Sequence, residues 1–480
     1  MLLALLMVPL GAALLALALP TDRLRAALLP VGGAVQLGLV LLALRLPETV
    51  SLGGWLALDG LGRLILLVVS VLFFFSAIYT PRYLAQHAAH SNRVFVAGMF
   101  AFLAMMTLVS EAHHLGLMWV AIEATTLTSA PLIYFEKSPR SLEATWKYLV
   151  LCSVGIAIAL LGTFFLAYSA LQVGLSPSLA LSDLLRDAPH LSRPWLHTAF
   201  VLLIVGYGTK MGLAPMHAWL PDAHSEAPSP VSALLSGALL NCAFLAILRF
   251  FQICGAAHDA GFARHLMILL GLVSIAVAAV FMIRQRDYKR MLAYSSIEHM
   301  GILVLGVGIG GAAVFGALLH VINNGLTKGV LFLSAGNIHL AYGTKEARGV
   351  TGALRRIPIS AALFLIGFLA ITGAPPFGPF LSEFTIVRAA FARGRYAVVT
   401  AFLVLSFVIL VGMGATVLSM VHGSPPGEDS ANEIRPVREP ASTVWPIVGL
   451  ASLVLLLGVF VPGPLANLLH HAASLVEVSR

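Results

Sequence analysis

The chain has 480 residues, of which 59% are hydrophobic and only 10% charged, and its mean hydropathy is +0.93. About a quarter of the residues of a soluble domain are charged, so a soluble globular fold is excluded and the solvent is lipid. The formal charge of +8 is scattered between apolar runs and forms no basic stripe with interleaved aromatics, which sets nucleic acid aside as a partner.

Windows of about 20 apolar residues, enough to cross ~30 Å of hydrocarbon, lie near 1–19, 28–44, 63–79, 94–110, 115–134, 147–168, 197–216, 228–250, 264–283, 293–310, 312–340, 358–390, 397–421 and 444–461. They predict an all-α polytopic membrane protein with about fourteen transmembrane helices. No basic residue precedes Arg23, so the first window reads as a retained span and not as a cleaved signal. Lys and Arg gather in one set of alternate loops, with Arg284, Arg286, Lys289, Arg290, Arg355 and Arg356 among them. The positive-inside rule then places both termini on the outer face of a prokaryotic inner membrane. Only 169–196 and 422–443 are longer polar-facing segments, and the second, with Pro425, Pro426, Glu428, Asp429, Glu433 and Arg435, reads as a solvated loop.

The helical pattern breaks twice in a similar way, at GLAPMHAWLPDA (212–223) and TGAPPFGPFLSE (372–383). Proline and glycine in mid-membrane free backbone groups that only protein or water can satisfy. Each break sits in a set of five windows, and an odd number inverts the second set relative to the first. Broken helices at matching places of inverted repeats point to a transport pathway. The expected organisation is 1–93 as three N-terminal spans, 94–250 as a first repeat, 264–421 as a second, inverted repeat, and 422–480 as a loop and last span.

Charged groups inside spans cost from ~2.5 to more than 10 kcal/mol, so each is a functional candidate. Glu123 lies in the middle of its window. Lys210 follows VLLIVGYGT just before the first break, at a depth from which snorkelling is hard. In 312–340, His320 and Lys328 are eight residues and so ~12 Å apart on roughly one helix face, and His339 lies at the far end. Glu383 follows the second break. The residues Lys147, His217, His224, Asn241 and Glu298 are weaker candidates. Lys147, four residues after Glu143, either opens a buried line or makes an ordinary i,i+4 surface pair. His217, Asp222, His224 and Glu226 follow Pro215, and Glu298 and His299 lie early in their window; each is an entry site or a loop hydrogen-bonding group. Cys152, Cys242 and Cys254 form no CxxC or CxxH pattern, so no iron–sulfur or zinc site is expected, and no cofactor or redox centre.

The runs GYGTKMGLAPMHAWLPDAHSEAPSPVSALLSG (206–237), RDYKRMLAYSSIEHMGI (286–302) and HVINNGLTKGVLFLSAGNI (320–338) resemble the antiporter-like, proton-conducting membrane subunits. These are shared by respiratory complex I, energy-converting hydrogenases and multi-subunit sodium/proton antiporters. EHMG together with SEAP looks most like the hydrogenase-4 component F type. The resemblance implies two inverted five-helix repeats, broken helices 7 and 12, and a hydrated central axis. It places Glu123 and Lys210 as a glutamate–lysine pair, His320 and Lys328 as the central relay, and Glu383 as the terminal site. Several relatives carry lysine or histidine where this chain has Asn241, so the link between halves needs water or a histidine elsewhere. Many also have lysine at the position of Glu383.

The function this implies is proton translocation within a multi-subunit complex, with other integral-membrane subunits, a peripheral catalytic module and the lipid bilayer as partners. The alternatives are sodium/proton exchange, a proton channel driving a non-redox partner such as inorganic carbon uptake, and a non-transporting membrane anchor.

Overall fold

The computed structural model describes residues 1–86, 91–423 and 436–477. Residues 424–435 of the segment 422–443, and with them Pro425, Pro426, Glu428, Asp429, Glu433 and Arg435, lie outside the described residues. The helices in chain order are α1 (Leu2–Ala18), α2 (Asp22–Ala43), α3 (Gly60–Gln86), α4 (Arg93–Glu111), α5 (Leu115–Ile133), α6 (Pro139–Leu171), α7 (Leu181–Asp187) and α8 (Arg193–Met211). After the first break come α9 (Leu220–Glu226), α10 (Ser229–Leu234), α11 (Leu240–Ala256), α12 (Ala260–Met282), α13 (Tyr288–Ile309), α14 (Ala312–Tyr342), α15 (Ala353–Arg356) and α16 (Pro358–Ile371). The second break leads to α17 (Gly378–Ala392), α18 (Tyr396–His422), α19 (Ala441–Val459) and α20 (Gly463–Val476). A two-stranded hairpin, β1 (Val50–Ser51) and β2 (Leu56–Ala57), precedes α3.

Among the described residues ten helical stretches are long and apolar enough to cross a membrane, the continuous Ser229–Ala256 being one. Each of the fourteen expected windows falls on helix, but α1 has only 17 residues and the window at 358–390 is two helices, α16 and α17, separated by the break. The polar groups of α14 and α8 keep both out of the ten.

Both breaks are built alike. α8 stops at Gly212, whose φ of 81° is a left-handed cap that suits glycine, and the Ala214–Pro215 peptide is cis. α16 stops before Gly373, at φ 70°, and the Pro375–Pro376 peptide is cis. Trp219 Nε1 donates to the freed carbonyl of Thr209 at 2.8 Å, so protein satisfies a backbone group in the apolar interior.

α14 is the central column, packed by α3, α10, α13, α16, α17, α19 and α20. Between α10 and α11 the backbone widens into a π segment, Leu235–Leu239, a device frequent at functional sites. There Gly237 meets Gly325 of α14 so closely that a methyl on Gly237 would stand 2.7 Å from the Gly325 carbonyl oxygen. Small residues let the two backbones approach.

A tie fastens the turn before α3 to α11. Arg249, fully buried on α11, donates to Asp59 at 2.5 and 2.8 Å, and Gln252 of the same helix donates to the Leu475 carbonyl of α20. Burial raises the pKa of the Asp59 carboxyl, but the Arg249 guanidinium more than offsets this and holds it well below the usual range. The stability from this pair is therefore complete above about pH 4, the unfolded carboxylate value, and fades as pH falls towards the depressed folded value. Arg249→Met leaves the largely buried Asp59 carboxylate with only the Gly62 N–H at 2.9 Å and His113 at 3.8 Å, and is expected to cost ~3 kcal/mol. A thermal melt of the detergent-solubilised protein checks it, and an unchanged Tm would contradict it.

Candidate functional site

The first cluster is assembled by α5, α6 and α8. Lys210 stands in the last turn of α8 and is fully buried. Its Nζ donates to Thr126 Oγ1 at 2.8 Å and to Tyr148 Oη at 2.7 Å, and it lies 4.6 Å from the Tyr148 ring centroid. Glu123, one turn before Thr126 on α5, accepts from Ser153 at 2.7 Å and from Thr126 at 3.4 Å. The predicted glutamate–lysine pair is thus joined through a hydroxyl: Thr126 accepts from the ammonium and donates to the carboxylate. Tyr148 continues the chain to Ser129 at 2.6 Å. Neither Thr126 nor Tyr148 stood out in the sequence, since neither carries a charge.

The second cluster is held between α13, α14 and α17. Lys328 Nζ donates to Ser295 Oγ at 2.7 Å and to the Leu292 carbonyl at 3.1 Å, both on α13. His320 bonds His299 of α13 at 2.9 Å and Ser382 of α17 at 2.8 Å. His320 and Lys328 therefore share one face, as the spacing of eight predicts, and that face looks onto α13. Glu298 lies one turn beyond Ser295, buried, and its carboxylate opposes the Lys328 charge. Glu383 completes the group: one ligating atom from each of His299, His320 and Glu383 lies within 4.8 Å of the other two.

Glu298 and His299 are not loop groups. Asp287 caps α13 by accepting from the backbone of Lys289 and Arg290, so the helix starts at Tyr288, five residues before the expected window. Glu298 and His299 then fall in its buried middle.

His224 is likewise not in a loop. Residues 220–226 form α9, and His224 is fully buried with both ring nitrogens unpartnered. Its ring stacks on Phe332 of α14 at 5.4 Å and neighbours Trp219 at 6.4 Å. Trp219 in turn packs on Tyr148, the Lys210 acceptor, at 5.0 Å. His224 also lies close enough to Lys328 and Lys289 to feel both charges. Asn241 is fully buried beside the Gly237–Gly325 crossing; its Nδ2 donates to the Gly237 carbonyl at 2.8 Å, and its Oδ1 has no partner. Both amide atoms of Asn324, next to Gly325, are also buried without partners. Unpaired buried polar groups of this kind are the ordinary seats of internal water.

Lys147 and His339 line an open crevice of about 910 Å³ with, among others, Asp222, Glu226, Asp287 and Lys345. Lys147 is exposed and pairs with Glu143 at 2.6 Å and Asp222 at 2.9 Å, so it is a surface pair and not the start of a buried line. Asp222 also pairs with Arg290, and Glu226 with Lys345 at 3.0 Å. His339 is half-buried at the crevice. His217 lies apart, beside the stacked rings of Phe281 and Tyr294 at 6.4 and 6.5 Å.

Residues 112–409 match the family described as NADH:quinone oxidoreductase/Mrp antiporter, transmembrane. The chain is 37% identical over 438 residues to a hydrogenase-4 component F homolog of Methylacidiphilum infernorum, covering 88% of this chain and 89% of the relative. It is 27% identical over 372 residues to an Na(+)/H(+) antiporter subunit of Bacillus subtilis, covering 76% of this chain and 74% of the relative. Its fold matches a chain of respiratory complex I from Thermus thermophilus with a TM-score of 0.81, at 26% identity over 99% of this chain and 100% of that one. The chain belongs to the NADH:quinone oxidoreductase/Mrp antiporter transmembrane family and is an antiporter-like membrane subunit.

Proposed function

We propose that the chain is the proton-translocating subunit of a multi-subunit, hydrogenase-4 or complex I-like assembly in a prokaryotic inner membrane. It carries protons along Glu123, Lys210, His224, Lys328, His320 and Glu383. Fourteen spans with both termini outside, two inverted five-helix units within 94–250 and 264–421, and a peripheral catalytic module as driving partner complete this reading.

The observation that carries it is the buried run of titratable and hydroxyl groups crossing both clusters, with His224 between them. A charge inside the bilayer is costly and is retained where it conducts. Protons enter the interior from the crevice, where Asp222, Glu226 and His339 meet solvent. A conformational or electrostatic change in a partner chain moves the Glu123 carboxylate relative to Lys210, and the lysine releases or takes its proton accordingly. His224, with two free nitrogens, accepts on one and donates from the other. Water held by Asn241 and Asn324 supplements that step, which answers the absence of a charged residue at Asn241. Lys328 and His320 pass the proton on to Glu383.

Replacing Glu123, Lys210 and Lys328 together by Gln, Met and Met tests this. Dye-reported proton uptake in sealed vesicles should fall to background while the complex still assembles; an anchor without a transport role would instead lose assembly only, with uptake per complex unchanged. Thr126→Val removes the hydroxyl between carboxylate and ammonium but keeps the volume. It should slow uptake about tenfold, as loss of a charge-assisted hydrogen bond of ~1.5 kcal/mol does, and an unaltered rate would exclude Thr126 as the bridge.

Sodium exchange is a second reading, favoured by the name of the B. subtilis relative. Hard cations seek several oxygen ligands, carboxylates above all, whereas the oxygens of the two clusters are mostly hydroxyls and the first cluster has a single carboxylate, Glu123. Uptake that requires sodium would support exchange, and uptake that persists in sodium-free medium supports protons.

A further inference from the structure

Three helices that are distant in sequence bring two imidazoles and a carboxylate together deep in the second cluster: His299 from α13, His320 from α14 and Glu383 from α17. We infer that His299, His320 and Glu383 form a binding site for a divalent transition metal of the zinc class, and that occupancy of this site blocks the chain. The inference rests on the proton relay proposed above for the block, but not for the binding.

Two histidines and one carboxylate are a common three-ligand set for Zn2+, leaving one position for water. The ligating atoms lie within 4.8 Å of one another, and the two imidazoles are already 2.9 Å apart with ring centroids at 5.0 Å. A metal between them, at the usual ~2.0–2.1 Å to each nitrogen, needs the rings to spread by a few tenths of an ångström.

His320 is also held from behind. Ser382 Oγ donates to the Pro379 carbonyl at 2.9 Å, so it accepts from His320 Nδ1 at 2.8 Å. That fixes the proton on Nδ1 and leaves the Nε2 lone pair facing His299. Orientation of a ligating imidazole by a hydrogen bond to its other nitrogen is the usual outer support of metal-binding histidines. His299 Nε2 is buried, makes no hydrogen bond and lies 3.9 Å from the Glu298 carboxyl, so it can hold the ring proton when Nδ1 turns to a metal.

Glu383 is only partly buried, so its carboxylate is the member of the set that an entering ion meets first, before the two fully buried imidazoles. Once bound, it occupies the lone pairs of His299 and His320 and the carboxylate of Glu383 together, so a proton arriving from Lys328 finds no acceptor.

The test uses the assembled complex and Co2+ as a spectroscopic stand-in for Zn2+. The expected result is one Co2+ per chain with the intense visible absorption of four-coordinate cobalt, displaced by Zn2+, and proton uptake in vesicles abolished by the same Zn2+ occupancy. His299→Gln and Glu383→Gln should lose the band. Ser382→Ala, which keeps all three ligands and removes only the orienting bond, should weaken binding about 10-fold or more. Absence of the band in the wild type, or its persistence in both ligand variants as adventitious metal elsewhere, would overturn the site. A band with unaltered proton uptake at full occupancy would overturn the block while leaving the binding site in place. Because the absorption is read without any transport, failure of the relay and failure of the metal site are separately visible.

Discussion

Lys328→Ala is expected to reduce proton uptake by about 10²-fold or more, the usual worth of a positioned proton-transfer group, in vesicles carrying the assembled complex. Lys328 is fully buried at the centre of α14 and is the cation of the second cluster. Its loss leaves His320 and Glu383 without a donor on the side facing His224. The Leu292 carbonyl that loses the ammonium still accepts from Ser296 Oγ of its own helix at 3.1 Å, and the His299–His320 bond at 2.9 Å still joins α13 to α14. Assembly is therefore expected to survive, and complex yield measured beside uptake separates a lost proton path from a lost fold. Full uptake by a well-assembled variant would remove Lys328 from the line.

His224→Phe should have an effect of the same order. Phenylalanine preserves the aromatic stack on Phe332 and Trp219, so packing is conserved while both proton-carrying nitrogens are removed. If His224 joins the two halves, uptake falls to near background, and the Asn241 and Asn324 amides with their water cannot replace a titrating group. If water alone makes the join, uptake is undiminished in His224→Phe and falls instead in Asn324→Leu. The two variants thus assign the connection between Lys210 and Lys328.

Much of this site is legible in the sequence, and what is missing has a physical cause. Lys210, Lys328 and Glu123 stand out because a charge inside an apolar window is rare and costly. The shared face of His320 and Lys328 follows from helical periodicity alone. Both breaks are visible in their Gly and Pro content, and the structure adds that each opens after a glycine in a left-handed conformation. Thr126 and Tyr148 stay hidden because hydroxyls are unremarkable in membrane helices, and their role arises only when α5, α6 and α8 meet. His224 is obscured by Pro221, Pro228 and acidic neighbours that read as a loop. Its burial depends on Phe332, far away in sequence. Glu298 and His299 are hard to place because the cap at Asp287 starts α13 among charged residues, where apolarity gives no signal. The grouping of His299, His320 and Glu383 is a purely tertiary fact that no local spacing announces.

Protons move along this buried line through the Lys210 ammonium, the cation of the first cluster. Proton uptake by sealed vesicles containing the complex with Lys210→Ala, driven by the complex's own partner reaction and normalised to assembled complex, tests it most directly. Loss of uptake with assembly retained is the predicted result. Uptake equal to that of the unmodified complex would contradict the account.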